Sequence, residues 1–372
     1  MQAKVDQIPA RHRPLWGLAI QGTWVIPLVL SCIGILMISS VTAQLTVTQG
    51  RTPFYYGLRQ IKWLGAGLVM MIACTVPTTE FWKKWSGVIW LGSLFLMVFT
   101  LIPGIGREGG GSNRWVRFGP FSIQASEVML LTFALHLTKK LREAGLDRKK
   151  GMARTIVLFV LSSWPFAFQP DLGGALIMFV LSMGIYVQVF GWFLPIVAGI
   201  SAMIGLFVPF VFLSRYRFER LMAFHDPWKD PLGSGFQTLQ GFVAFANGGG
   251  FGVGIGHGLQ KLQYLPAAHT DFILAVIGEE LGLAGTFTLV ILFGVFFLIQ
   301  FLSYLTLDDD FDATLVWAMT LAIFIPFMVN AGGVLRILPL TGVPLPFVSY
   351  GGSSLVLGWC KVGILLRLLR NV

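Results

Sequence analysis

The chain has 372 residues, 55% of them hydrophobic and only 12% charged, with a formal net charge of +10. A soluble domain carries about 25% charged residues, so the polar skin needed by a soluble enzyme, a secreted disulfide scaffold or a disordered protein is missing. Composition reads as an all-α polytopic membrane protein. The excess of basic residues reads as membrane topology rather than nucleic-acid binding.

A membrane-spanning helix takes about 20 apolar residues. Apolar windows fall at about 16–40, 60–77, 86–103, 123–138, 154–169, 172–190, 192–213, 272–305, 312–330 and 351–368. About ten transmembrane helices are therefore expected, with both termini on one side. The 272–305 window exceeds one crossing and is expected to tilt or project beyond the bilayer. Met1–Pro14 precedes an apolar run too long for the core of a signal peptide. Cys32, Cys74 and Cys360 all lie in apolar runs, so no disulfide framework is implied.

Basic residues set the orientation. Lys4, Arg11, Arg13, Lys83, Lys84, the 139–150 segment KKLREAGLDRKK, Arg154, Arg367 and Arg370 fall on one side. Short loops opposite hold Arg51, Arg107, Arg114, Arg117 and Arg336. The positive-inside rule makes the first side, with both termini, cytoplasmic. No soluble domain is expected at either end, and residues 1–372 read as a single integral membrane domain.

Three outer segments collect the polar residues. The segment 214–271, between the seventh and eighth windows, far exceeds the typical connection of about 4–6 residues, and such loops are usually functional or disordered. Recurrent Phe, Trp, Tyr and Leu argue for order. Within it, Gly235–Asn247 is amphipathic and predicts an interfacial helix. Seven glycines between Gly248 and Gly258 follow, readable as a mobile turn or as a phosphate-cradling nest. Next comes QKLQYLPAAHTDF, whose Asp271 opens the eighth window. Asp271 reads either as a helix cap or as a general base or metal ligand; His269 could orient it. Glu279 and Glu280 need buried partners, an Arg or Lys.

The 106–127 segment sets Arg107, Arg114 and Arg117 beside Trp115, which suits either a lipid phosphate or interfacial anchoring. The 330–354 segment, rich in proline and paired glycines, cannot run as an ordinary helix. Such backbone at membrane depth is tolerated when buried or lining a wet cavity, and a cavity lined by Ser349, Tyr350, Ser353 and Ser354 is expected.

NRW (113–115), QPDLGGA (169–175), DPWKDPLGSGFQTLQ (226–240), QKLQYLPAAHTDF (260–272) with GEELG (278–282), and PLPFVSYGGSSL (344–355) together resemble the SEDS family (shape, elongation, division and sporulation), which includes FtsW, RodA and SpoVE. The motifs span most of the chain in the family's order. The resemblance implies an inverting peptidoglycan glycosyltransferase that polymerises lipid II at the outer face of the bacterial cytoplasmic (inner) membrane. It also implies a class B penicillin-binding protein (transpeptidase) as partner. The family's catalytic aspartate falls on Asp271, acting as base directly or through a divalent cation (Mg or Mn). His269 and Thr270 flank it, and Lys261, Arg215, Arg217 and Arg220 are local cations for the leaving pyrophosphate. Arg114, Trp115, Ser349 and Ser353 complete the expected substrate contacts. A lipid II flippase and a non-catalytic scaffold activating the penicillin-binding protein are the alternatives.

The chain departs from the family at Ala125 and Leu130, where proline and lysine are usual, at Gln263 and Ala267 for glutamates, and at Arg336 for glycine. The 260–272 run looks more like the division and sporulation proteins, while LTGVPLPF also suits the elongation protein. The FtsW-like branch is favoured.

Overall fold

The computed structural model describes residues 13–102, 106–109, 112–118, 121–169, 171–192, 197, 199, 222, 224–233, 235–261 and 265–370. Helices run in the order α1 (Arg13–Thr48), α2 (Tyr55–Thr75), α3 (Thr79–Phe99), α4 (Ala125–Arg142), α5 (Arg148–Phe168), α6 (Leu172–Phe190), α7 (Phe236–Gly248), α8 (Ile273–Glu280), α9 (Gly282–Thr306), α10 (Asp310–Val334) and α11 (Gly352–Leu369). Nine of the ten apolar windows fall on these helices; of the tenth, 192–213, only residues 192, 197 and 199 are among the described residues.

The chain is a multi-pass membrane protein. Six described helices are long and apolar enough to cross a membrane: α1, α5, α6, α9, α10 and α11. The pair α2 and α3, bent by 114° at its break, would make a seventh if counted as one span. These helices do not by themselves establish ten crossings. α10 is the hub, buried along nearly its whole length and packed on α4, α6, α9 and α11. α9 lies at the rim, with Leu283, Phe287, Ile291, Leu298, Leu302 and Leu305 exposed at helical spacing, the outward stripe of a lipid-facing helix.

The architecture is the expected all-α membrane fold, with one small addition: β1 (Gly106–Gly109), β2 (Ser112–Phe118) and β3 (Phe121–Gln124) form an antiparallel sheet, pairing Arg107 with Trp115 and Trp115 with Gln124. The structure corrects two expectations. The 272–305 window is not one long helix. It breaks between Glu280 and Gly282, where Gly282 takes φ +68°, and the buried α8 separates from the rim helix α9. A side chain at Gly282 would collide with the Gly252 amide nitrogen and stand 2.7 Å from the Gly250 carbonyl. Gly282→Ala is therefore expected to cost about 1–3 kcal/mol in backbone strain alone, read as a lower Tm in detergent, with Gly294→Ala, which meets open space, as control.

The second correction concerns the glycine run, which is not a loose turn: the amides of Gly249, Gly252, Val253, Gly254 and His257 are used within the protein. Val253 N and Gly254 N donate to the carbonyls of Glu279 and Glu280 at 3.0 Å each, and Gly252 N to Gly248 O at 2.8 Å. Leu259 N and Gln260 N donate to the Glu279 carboxylate at 3.0 and 3.2 Å, and Asn247 Nδ2 joins them at 3.3 Å. The strap closes over the helix break. The amphipathic segment before it does form a helix, α7, which buries Thr238, Leu239, Gly241, Ala244 and Gly248 and packs on α8.

Candidate functional site

The turn before α8 is built backbone first. Ala267, at φ +53°, offers its carbonyl to Thr270 N at 3.0 Å and to Phe272 N at 3.3 Å, and Thr270 Oγ1 donates to it at 3.1 Å. α8 begins at Ile273 with Phe272 in the capping position, so Asp271 stands one residue before the cap and partly exposed.

Three consecutive carbonyls of this turn are clasped by the 330–350 segment. Tyr350 N donates to His269 O at 2.9 Å, Ser349 Oγ to Thr270 O at 2.5 Å, and Asn330 Nδ2 to Asp271 O at 2.8 Å. Each clasping group is itself held. Ser349 Oγ accepts from Leu345 N at 2.8 Å, Gln60 Nε2 donates to Ser349 O at 3.1 Å, and Asn330 Nδ2 also donates to Val343 O at 2.8 Å. Phe347 takes φ +64° with its ring buried against Trp359, strain of the kind that surrounding structure must impose. The non-helical backbone expected in 330–354 is confined to 335–351, and together with Asn330 from the end of α10 it brackets the His269–Asp271 turn.

The His269 ring packs with Tyr56 and Tyr350, centroids 5.9 and 5.8 Å away. Burial holds its pKa below the ordinary histidine value, because a charged ring there would lose its water. As pH falls from about 6.5, the unfolded chain therefore takes this proton before the folded one does. Stability drops with pH in that window. Replacing His269 with Gln is expected to flatten the fall in Tm between pH 7.5 and 5.5.

Lys261 is the counter-ion of Glu280. Its Nζ lies 2.8 Å from Oε1, while Ser40 Oγ donates to both Glu280 oxygens at 2.9 and 2.8 Å. Glu280 is fully buried and Lys261 is 10% exposed. The buried pairing foreseen for Glu280 is present, and it commits the charge expected on Lys261 to the protein rather than to a phosphate. Ser353 is likewise occupied, accepting from Gln124 N at 3.3 Å. Ser349 serves the clasp, so of the four groups expected to line a cavity Ser354 does so.

That cavity, about 40 Å³, lies within the helices between Gln124, Glu127, Leu130, Pro344, Ser354 and Lys361. Lys361 Nζ, buried, donates to Ala322 O at 3.0 Å. Val343 forms part of the wall, and its carbonyl shares Asn330 with Asp271, so the clasp joins the cavity to the turn. The departures have places here. Leu130 faces the cavity and Ala125 is buried beside it. Arg336 takes φ +57°, which suits glycine, and its guanidinium donates to Phe224 O and His225 O at 3.0 and 2.7 Å.

Trp115 lies half-buried in β2, paired with Gln124 of the cavity wall. The Arg114 side chain, and Arg215, Arg217 and Arg220, lie outside the described residues. Asn330, Gln60, Glu127 and Lys361 were not singled out from the sequence, although a lysine inside an apolar window is itself a signal.

Residues 21–372 match the family model described as cell cycle protein, that of FtsW, RodA and SpoVE. The chain belongs to this family. A probable peptidoglycan glycosyltransferase FtsW of Pseudoalteromonas translucida is 35% identical over 350 residues, 91% of this chain and 86% of the relative. That of Allochromatium vinosum is 36% identical over 360 residues, 92% and 88% of the two chains. A chain of a peptidoglycan synthase complex coordinating polymerization and crosslinking superposes with TM-score 0.78 at 27% identity, over 94% of this chain and 97% of that one. The rod shape determining protein RodA of Thermus thermophilus gives 0.70 at 24% identity, over 94% and 96%, a likeness of fold.

Proposed function

We propose that the chain is a peptidoglycan glycosyltransferase of the FtsW-like branch, polymerising lipid II at the outer face of the cytoplasmic membrane, with both termini cytoplasmic. The observation that carries this reading is the triple clasp on His269, Thr270 and Asp271. A carboxylate fixed through its own backbone, next to an intramembrane cavity with buried charge, is what a positioned base for a lipid-borne substrate requires.

Glycan extension removes the proton of an acceptor sugar hydroxyl as the bond from the anomeric carbon to the prenyl pyrophosphate breaks. Asp271 takes that proton, and a single in-line displacement inverts the anomeric centre. The departing negative charge calls for fixed cations, a role assigned to Arg114, Arg215 and Arg217, with Trp115 at the headgroup level. Among the described residues no three His, Cys, Asp or Glu side chains converge on a metal site. The Asp271 carboxylate would serve Mg²⁺ or Mn²⁺ as one ligand among substrate oxygens, since Mg²⁺ is usually held by one or two carboxylates together with substrate phosphates. Such an ion, when bound, would neutralise leaving-group charge. A class B penicillin-binding protein is the proposed partner that crosslinks the product.

The test gives purified protein, with and without that partner, labelled lipid II in vesicles. Glycan ladders support the enzyme. Lipid II that crosses the bilayer without polymer would establish a flippase, and polymer made equally by the partner alone would leave a scaffold. Within the enzyme, Asn330→Ala removes the bond to Asp271 O while leaving the carboxylate chemistry intact. It is expected to lower kcat about 10- to 100-fold, with KM little changed, since small misplacements of a catalytic group cost about that much.

A further inference from the structure

We propose that the glycine strap, residues 249–259, is seated in the bilayer, its side chains dipping into lipid hydrocarbon beside α9. The strap has two unlike edges. Its even positions are glycines, of which Gly252, Gly254 and Gly256 take φ of +82°, +96° and +86°, and Gly252 and Gly258 lie against the protein. A side chain at Gly252 would strike the Glu280 carbonyl, and one at Gly258 would stand 2.8 Å from the Glu279 carboxylate. Four of its odd positions, 251, 253, 255 and 259, are large, apolar and turned outward, with the exposed His257 among them. Phe251 is 91% exposed, with Val253, Ile255 and Leu259 also exposed. A row of this kind in water would be a liability.

Continuity with the lipid face identifies what covers the row. Leu283 N and Ala284 N donate to Gly249 O and Gly250 O at 2.9 and 3.0 Å, fastening the strap to the first turn of α9. From there the exposed stripe Leu283, Phe287 and Ile291 runs down the helix, so Phe251 extends that stripe. Depth agrees. The strap overlies Glu280, which is bonded to Ser40 of α1, and residue 40 is where the first apolar window closes. The strap therefore sits at the hydrocarbon boundary, and lipid seals the Lys261–Glu280 pair beneath it from water.

Site-directed spin labelling in lipid nanodiscs tests this. Single cysteines at 251 and 255 are introduced in a Cys32→Ala background, leaving buried Cys74 and Cys360 in place. Positions 287 and 146 serve as lipid-facing and water-facing references; Leu146 is 98% exposed in the α4–α5 loop. Labels at 251 and 255 should match 287, relaxing readily with oxygen and at least several-fold less with a nickel chelate than position 146. Nickel accessibility equal to 146 would place the strap in water, and shielding from both reagents would place it under protein; either result overturns the proposal. Where a labelled variant does not purify as a monodisperse species, Leu259→Cys supplies the same readout.

Discussion

Asp271→Asn should abolish most polymerisation and leave the protein standing. Loss of a positioned base typically costs about 10²–10⁴-fold, so glycan ladders should fall by at least two orders of magnitude in initial rate. Folding should survive, because the exchange is isosteric and the turn is held through the carbonyls of residues 269–271. The Tm of the variant, measured with the rate, separates a lost base from a lost fold. A variant that polymerises at the wild-type rate removes Asp271 from the chemistry.

The second large effect is on stability. Lys261→Met leaves the Glu280 carboxylate fully buried with Ser40 but without its cation. Removing one partner of a buried pair costs about 3–5 kcal/mol, whereas replacing both with neutral groups is often nearly neutral. Lys261→Met should therefore lower Tm markedly, and Lys261→Met with Glu280→Gln should recover most of the loss. The double variant also decides what Lys261 is for. As a counter-ion it becomes dispensable once Glu280 is neutral, and polymerisation returns with stability. As a cation for pyrophosphate it would leave a stable, inactive protein.

The helices were legible because a bilayer demands long apolar runs, and nine windows land on helices. The turn carrying Asp271 was legible from Pro266 and from the start of an apolar window. What positions it was not: Asn330 and Ser349 lie 59 and 79 residues away in sequence, and such pairings leave no local trace. The sheet escaped because β1 and β3 are only four residues each, at the lower limit of what alternation can register. The break at Gly282 escaped because an apolar window averages over one residue with an unusual φ. The glycine strap misled for a related reason. Glycines signal conformational freedom, yet here they permit backbone to lie against the Glu279 and Glu280 carbonyls. Lys261 and Glu280 could each be suspected, but their pairing needed the strap's path.

The pH dependence of single-turnover polymerisation tests the role of Asp271 most directly. With the base in place, the wild-type rate should level off once the carboxylate is ionised. Without it, proton removal falls to hydroxide, and the residual rate of Asp271→Asn should climb about tenfold per pH unit, as proton transfer to a stronger base requires. Parallel profiles for the two proteins would contradict Asp271 as the base.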